Sequence, residues 1–91
     1  MAINVKLPRP FRRMTQGQTE IVLEGQTIRE LLDDLEEKHP GIQAKIFSEN
    51  NELRRFINVY VNNEDIRFLN GLQTAVKETD KISIISAIAG G

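Results

Sequence analysis

The sequence predicts an α+β roll, in which a mixed β-sheet is packed on one main helix. Four segments alternate apolar and polar residues, which is the period of a half-buried strand. One stretch, from Thr27 to Lys38, instead repeats apolar residues at helical spacing. An amphipathic helix must bury its apolar stripe, and a single sheet is the only surface available to cover it.

Two strands are predicted ahead of the helix. Residues 2–7 alternate apolar and polar side chains until two prolines end the pattern. Residues 8–18 are polar and basic, and we expect them to form a loop. Residues 19–24 alternate again, with Ile21 and Leu23 facing inward. Gly25 then ends the second strand.

The helix carries start and stop signals in the sequence. Thr27 and Glu30 match a capping box, in which each side chain accepts a hydrogen bond from a backbone N–H of the first turn. The apolar stripe consists of Ile28, Leu31, Leu32 and Leu35. Pro40 and Gly41 cannot continue a helix, so it should end near Lys38.

The second half of the chain completes the sheet. Residues 42–47 predict a short helical turn that plugs one end of the core. Residues 55–62 form the strongest strand, followed by a tight turn at Asn62-Asn63, because asparagine tolerates positive φ. The remaining predictions are an edge strand over 64–67, a loop over 68–79 and a last strand over 81–87. With the first and last strands paired centrally, this order matches the β-grasp, or ubiquitin-like, architecture.

Length and charge exclude several classes of protein. Ninety-one residues predict a single domain, 1–91, ending in a flexible Gly-Gly tail. The net charge of −1 creates no field that would attract nucleic acid or an anionic membrane. No apolar run approaches the ~20 residues that a membrane span needs. The first residues alternate instead of forming a signal peptide, so a cytoplasmic location is the default expectation.

The chain is poor in residues that perform catalysis. It has no cysteine, which excludes thiol nucleophiles, disulfides and cysteine-based metal sites. His39, the one histidine, follows the predicted helix, where the helix dipole favours a cation. Four carboxylates are interpreted as a solvated helix face and not as a metal site: Asp33, Asp34, Glu36 and Glu37. We therefore expect a protein with no catalytic residues and no bound metal or cofactor.

Two small basic clusters stand out against the balanced charge. They consist of Arg9, Arg12 and Arg13 in the first loop, and of Arg54 and Arg55 before the strongest strand. Nucleic-acid binding would need a larger excess of positive charge and surface aromatic residues. We interpret the clusters as surface charges, with contact to the acidic rim of a protein partner as the alternative.

The diglycine end of the chain is its most informative feature. With glycine at about 7% of residues, two at the very end occur by chance in roughly 0.5% of chains. Glycine has no Cβ to crowd the carboxylate, so Gly90 and Gly91 form the thinnest tail a chain can offer. The segment from Ala87 to Ala89 connects this end to the last strand. These residues suit a tail that threads into a narrow channel of a partner, where the carboxyl carbon of Gly91 reacts.

A family resemblance lies mainly in the second half of the chain. Its residues run from Arg55 to Arg67, Gly71 to Leu72, Thr74 to Val76, Asp80 to Ile84 and Ala87 to Gly91. On these, the chain resembles the ubiquitin-like sulfur-carrier proteins. That family includes a thiamine-pathway carrier, the small subunit of molybdopterin synthase and a carrier that feeds a cysteine synthase. The phrase from Phe56 to Arg67 looks most like the cysteine-synthase-linked branch, whereas the first fifty residues match by pattern more than by identity.

The resemblance implies a chemistry for the terminus. An E1-like adenylyltransferase, which itself binds ATP, would adenylate Gly91, and a sulfur donor would convert the acyl-adenylate to a thiocarboxylate. A sulfur-accepting synthase would then take the sulfur. That partner would be of the cysteine synthase type, or the large subunit of molybdopterin synthase. Ala87, Ile88, Ala89 and Gly90 would thread into the partner.

A carrier also needs a surface on which its partners dock. The alternation places Ile82 and Ile84 inward, so Ile85 should point outward, and Tyr60 lies outward on the neighbouring strand. We predict a docking patch of Tyr60, Ile85, Phe68 and Leu72 beside the tail. Single exposed apolar residues are common, so it is the clustering beside a reactive end that suggests docking.

Two other classes of function use the same terminus. A protein modifier would join Gly91 to lysines of its targets by isopeptide bonds. An inert ubiquitin-like interaction domain would have an incidental terminus, and removing Gly91 would change nothing. Thiocarboxylate on the free protein distinguishes the carrier from both alternatives.

Overall fold

The computed structural model describes residues 2–87, which form a five-stranded sheet and two helices. The strands are β1 (Ala2–Lys6), β2 (Glu20–Glu24), β3 (Ile57–Val61), β4 (Glu64–Asp65) and β5 (Ile82–Ser86). The helices are α1 (Ile28–Lys38) and α2 (Gln43–Ile46), and three single 3₁₀ turns lie at Arg9–Phe11, Ile66–Phe68 and Gly71–Gln73. No helix within this part of the chain is long and apolar enough to cross a membrane.

The sheet is mixed, with the order β2-β1-β5-β3-β4. β1 and β5 run parallel in the middle, with Val5 opposite Ile82 and Lys6 opposite Ser83. The other neighbours are antiparallel. The prediction that the first and last strands pair centrally is therefore confirmed, and so is the α+β roll.

The core lies between α1 and one face of the sheet. The four stripe residues of α1 are all buried, and so are the inward residues of the strands, among them Ile3, Leu23, Val59 and Ile84. Ile42, Ile46 and Phe47 are buried at one end, as the predicted plug requires. Burial of this kind stabilises a protein by about 1.5–3 kcal/mol per large apolar side chain, so the helix is held mainly by its stripe.

The start of α1 needs both a cap and a glycine. Thr27 Oγ1 accepts a hydrogen bond from Glu30 N at 3.2 Å, whereas Glu30 Oε1 accepts one from Gln26 N at 2.8 Å, one residue earlier than a standard capping box. A Cβ on Gly25 would lie 2.8 Å from Glu30 Cβ and 2.9 Å from Leu31 N. The chain can therefore enter the helix at this angle only with glycine at position 25.

Several predictions differ from the structure, and the strongest strand, predicted over 55–62, spans only Ile57–Val61. The first loop was expected to be polar, yet its 3₁₀ turn buries Phe11 to 2% exposure, and Thr15 is also buried. The predicted edge strand over 64–67 ends at Asp65, because the Asp65 carboxylate accepts a hydrogen bond from Arg67 N at 2.8 Å and turns the chain into Ile66–Phe68. The last strand is one residue shorter at each end than predicted.

The two-residue turn between β3 and β4 is as predicted. Asn62 and Asn63 both have positive φ, at 53° and 72°, as hairpin turns of this length require. Asn62 Oδ1 also accepts a hydrogen bond from Lys81 N at 2.9 Å, and Asn62 Nδ2 donates one to Asp80 Oδ1 at 2.9 Å. The turn thus fastens the start of β5 to the end of β3.

Charged side chains cover both outer edges of the sheet. On β2, Lys38 Nζ donates to Val22 O at 3.1 Å and Asp34 Oδ2 accepts from Glu24 N at 2.9 Å. Lys38 and Asp34 are themselves 2.9 Å apart. On β3, Arg67 Nη2 donates to Ile57 O at 3.0 Å. Val22 O, Glu24 N and Ile57 O are thereby unavailable to another strand.

Two carboxylates that brace α1 make the fold sensitive to acid. Glu36 accepts hydrogen bonds from the N–H groups of Gly41 and Gln43, both at 2.8 Å, and these lower the pKa of Glu36 from its ordinary value of 4.5. Burial opposes ionisation of Asp34, but the hydrogen bonds from Lys38 and Glu24 outweigh it, so the pKa of Asp34 is also lowered. Stability from a lowered pKa is present above the ordinary value and is lost as pH falls through the folded value.

We therefore expect the urea midpoint to fall as pH drops below about 4. Glu36→Gln should lower the midpoint at pH 7 and flatten this fall, because the neutral side chain has only one acceptor for two N–H donors. Glu37→Gln is the matched control, since Glu37 makes no hydrogen bond or ion pair with another described residue. If the urea midpoint depended on pH in the same way in both variants, the acid sensitivity could not be assigned to the hydrogen bonds of Glu36.

Candidate functional site

The tail leaves the sheet from its middle. β5 lies between β1 and β3, and the N–H of Ala87, just after β5, donates to Phe56 O at 2.7 Å. Ala87 is exposed. The other predicted tail residues, Ile88, Ala89, Gly90 and Gly91, lie outside the described residues. The root of the tail, at Ser86 and Ala87, is thus held by a central strand.

The outer face of the sheet beside this root carries two of the predicted docking residues. Tyr60 lies opposite Ser83, and Ile85 opposite Asn58, so Tyr60 and Ile85 are diagonal neighbours on the outer face. Such neighbours are about 7–8 Å apart, within reach of an aromatic side chain. Ile85 is 44% exposed and Tyr60 is half-buried. We call this pair the outer-face patch.

The other two predicted docking residues are placed differently. Phe68 is 81% exposed, in the 3₁₀ turn that follows β4 at the edge of the sheet. Leu72 is half-buried and packs against the hydrophobic core, in a turn that contacts α1. The structure therefore does not bring Leu72 to the outer face, because its loop folds back to the helix side. A bridge between Thr27 and Ala75 holds the loop there.

Sequence reasoning missed a polar cluster beside the patch. Arg67 Nη1 donates to Asn58 Oδ1 at 2.5 Å and lies 3.4 Å from Asp65 Oδ2. Asn58 is the direct partner of Ile85, so this cluster borders the outer-face patch. Alternation placed Asn58 outward, but no sequence signal pairs it with Arg67, which comes from a different turn.

Three of the four carboxylates discounted as metal ligands have structural partners. Asp33 pairs with Arg29 at 3.3 Å, and Asp34 and Glu36 make the backbone contacts described above. The described residues contain no group of three or more carboxylate, histidine or cysteine side chains that could hold a metal ion. His39 closes α1, with its N–H donating to Leu35 O at 2.8 Å.

A family comparison decides the class of protein. The ThiS family matches residues 5–91 of the chain. The chain belongs to the ThiS family. Sulfur carrier protein CysO of Mycobacterium tuberculosis is 39% identical to this ThiS-family chain, over all of both chains.

Solved structures confirm the architecture of this ThiS-family protein. It matches the chain from the Amycolatopsis orientalis BexX/CysO complex with a TM-score of 0.90 and 44% identity, covering 99% of this chain and 100% of that one. Small archaeal modifier protein 1 of Methanosarcina acetivorans matches with a TM-score of 0.83 and 32% identity, covering 99% and 96%. The β-grasp prediction is confirmed, and the relatives support a ThiS-like sulfur-carrier function.

Proposed function

We propose that this ThiS-family protein is a sulfur carrier that works through a thiocarboxylate on Gly91 and supplies sulfur for cysteine synthesis. The observation that carries the proposal is the family match, which runs through the diglycine end to residue 91. The root of that end is held by the central strand of the sheet. The high identity to proteins named CysO supports the cysteine branch over the molybdopterin synthase subunit.

The chemistry follows from the state of the carboxyl group. A terminal carboxyl has a pKa of about 3.3–3.7, so it is an anion at pH 7 and resists nucleophiles. Attack of this carboxylate on the α-phosphate of ATP forms the acyl-adenylate and releases pyrophosphate. A sulfur nucleophile then attacks the acyl carbon, AMP leaves with its bonding electrons, and the thiocarboxylate remains. The sulfur must reside on Gly91, because the chain has no cysteine to hold it.

The geometry of the root constrains the partner. Four residues follow Ala87, and a fully extended segment of this length reaches about 14 Å at most. An E1-like enzyme must therefore bring its adenylating groups that close to the end of β5, while its surface rests on the outer face. This is the reason to assign docking to the outer-face patch, with Phe68 at its border.

We extend the proposal to a sulfur-accepting synthase of the cysteine type as the second partner. In the Amycolatopsis orientalis structure, CysO is bound to BexX, so a close relative does form a complex with another protein. The same tail would be handed from the adenylating enzyme to the acceptor. After sulfur transfer, the carrier returns as the carboxylate and can be charged again.

Intact mass spectrometry of the protein isolated from its host tests the proposal. An oxygen-to-sulfur mass gain, localised to the terminus and absent from a variant lacking Gly91, is the expected result. The purified protein should also gain this mass on incubation with ATP, the E1-like enzyme and sulfide. An unmodified mass under both conditions would overturn the carrier function.

A protein modifier remains a second candidate because of one comparison. Small archaeal modifier protein 1 of Methanosarcina acetivorans is 32% identical with almost complete coverage. If this chain is a modifier, an affinity-tagged form expressed in its host should appear as a ladder of conjugates that survives reducing agent. Loss of the ladder on removal of Gly91 would identify isopeptide linkage through the terminus.

The docking assignment gives a prediction for Ile85. Ile85→Asp should raise the carrier concentration that half-saturates adenylation about tenfold or more, since it replaces a central apolar contact by a charge. The maximal rate and the melting temperature should change little, because the side chain is outward. Val22→Asp is the matched control, as Val22 is an outward strand residue of similar exposure, 49%, on the distant β2. An equal rise in the half-saturating concentration for both substitutions would contradict docking at the outer-face patch.

A further inference from the structure

The central strand β5 is only half covered on its β1 side. Pairing between β1 and β5 stops at Lys6 and Ser83, whereas β3 pairs with β5 as far as Ser86. In a parallel pair of this register Ile84 N–H bonds to Lys6 O, whereas Ile84 C=O and both backbone groups of Ser86 have no β1 partner, so Ile84–Ser86 is an edge on that side. This three-residue edge leads directly into the tail.

The backbone groups on that edge can be assigned from the pairing pattern. Asn62 N donates to Lys81 O, and Ala87 N donates to Phe56 O, so the odd-numbered residues of β5 bond to β3. The N–H and C=O of Ile84 and Ser86 then point to the β1 side. If the register continued, the next β1 donor there would be Pro8, which has no N–H. No backbone hydrogen bond joins Ser86 to the described residues of the first loop.

A groove of about 380 Å³ lies along this open edge. Its lining combines residues of β5 with residues at and after the end of β1, among them Lys6, Pro8, Arg12, Ile84 and Ile85. Arg12 Nη2 donates to Leu7 O at 3.3 Å. Arg12 Nε is buried and has no hydrogen-bond partner, which leaves a charged donor unsatisfied beside the groove.

The charge around the groove is positive. Residues 2–19 include Lys6, Arg9, Arg12 and Arg13 and contain no acidic residue. Glu20 is the one carboxylate of the lining, and it faces Lys6 across β1 and β2 without an ion pair within 4 Å in the described part of the chain. A carboxylate from another molecule would be attracted by the exposed Lys6 ammonium and by the positive charge of the partly exposed Arg12 guanidinium.

We propose that the groove binds an extended, carboxylate-bearing segment of the adenylating enzyme. That segment would lie beside Ile84–Ser86 as an added strand, with its carboxylate on Arg12 and Lys6. The proposal rests on the carrier function above and deepens it by naming how the partner is recognised. Main-chain hydrogen bonds to β5 would supply binding, and the charge pair would fix the register. The added strand would hold the root of the tail straight as it enters the partner.

Arg12→Gln and Arg13→Gln form a matched pair for testing this. Each removes one positive charge from the same loop, but Arg12 lines the groove, whereas Arg13 is exposed and does not. In ATP–pyrophosphate exchange with the E1-like enzyme of the host, Arg12→Gln should raise the half-saturating carrier concentration about tenfold or more. Arg13→Gln should raise it less than threefold, and neither should change the maximal rate.

Further measurements separate recognition from a structural role of Arg12. Lys6→Gln should also raise the half-saturating concentration, and the Lys6 ammonium makes no ion pair with another described residue that the substitution would break. Backbone amide signals of Ser86 and Ile85 should shift when the enzyme is added to labelled wild-type protein, and shift less in Arg12→Gln. Equal half-saturation for Arg12→Gln, Lys6→Gln and wild type would overturn the inference.

Two outcomes would point elsewhere. If the wild-type protein supports no exchange at all, the proposed carrier function fails, and this inference fails with it. If exchange is normal in every variant but Arg12→Gln changes the oligomeric state of the protein alone, the groove binds a second copy of the chain and not the enzyme.

Discussion

Gly91→Val is expected to abolish adenylation while leaving the fold intact. A branched side chain beside the reacting carboxyl would displace it in a channel that accepts a tail without Cβ atoms, and a displacement of about 1 Å can cost about 10²-fold in rate. Position 91 follows the end of β5 by five residues in the chain, and the hydrophobic core of the described residues lies between α1 and the sheet. We expect at least this loss in ATP–pyrophosphate exchange and no thiocarboxylate by intact mass.

A graded series makes this prediction specific. Gly91→Ala should retain more activity than Gly91→Val, because the obstruction grows with side-chain size. Ala2→Val is the control, since it adds a branched side chain at an exposed position at the start of β1, away from the end of the parallel strand β5. Melting temperatures of all variants should agree with wild type within experimental error. Normal exchange by Gly91→Val would show that the terminus does not enter a narrow site.

Leu35→Ala is expected to have the largest effect on stability. Leu35 is 0% exposed and lies on the stripe of α1 that covers the sheet. Removing a buried leucine side chain costs about 2–5 kcal/mol, because the cavity does not fully collapse. The total stability of a domain of this kind is about 5–15 kcal/mol, so much of it would be lost. Urea unfolding followed by far-ultraviolet circular dichroism measures the change.

Val22→Ala provides the comparison for this loss. Val22 is 49% exposed on the outer side of β2, so its truncation should change stability by about 0.5 kcal/mol or less. If Leu35→Ala were equally mild, α1 would not be held by its stripe. Thiocarboxylate formation by Leu35→Ala should be compared with that of the wild-type protein at a temperature where the variant remains folded.

Local patterns were sufficient to predict the parts of the fold that depend on neighbouring residues. The cap at Thr27, the stripe ending near Lys38 and the Asn62-Asn63 turn all act within a few residues, and each is observed. The alternation of β3 also gave the correct inward side. The helix covering one sheet predicted the roll, and the pairing of β1 with β5 was expected as part of the β-grasp architecture that the element order matches.

Contacts between distant segments account for what the sequence did not reveal. Phe11 lies in a segment with the composition of a surface loop, and only its return to the core shows why an aromatic residue is there. Leu72 has the same chemistry as an exposed docking residue, but the bridge to Thr27 turns its loop toward α1. Arg67 reaches Asn58 and Ile57 by turning back after β4. None of these contacts joins residues at a characteristic spacing in the sequence, so no sequence pattern predicts it.

The charged side chains that bond to backbone groups at the edges of the sheet affect how readily copies of this protein associate with one another. Val22 O, Glu24 N and Ile57 O are occupied by side chains of Lys38, Asp34 and Arg67. Copies of the chain are thus discouraged from stacking edge to edge into fibrils. Acidification that protonates Asp34 would uncover the β2 edge, so self-association should increase at low pH before the core unfolds.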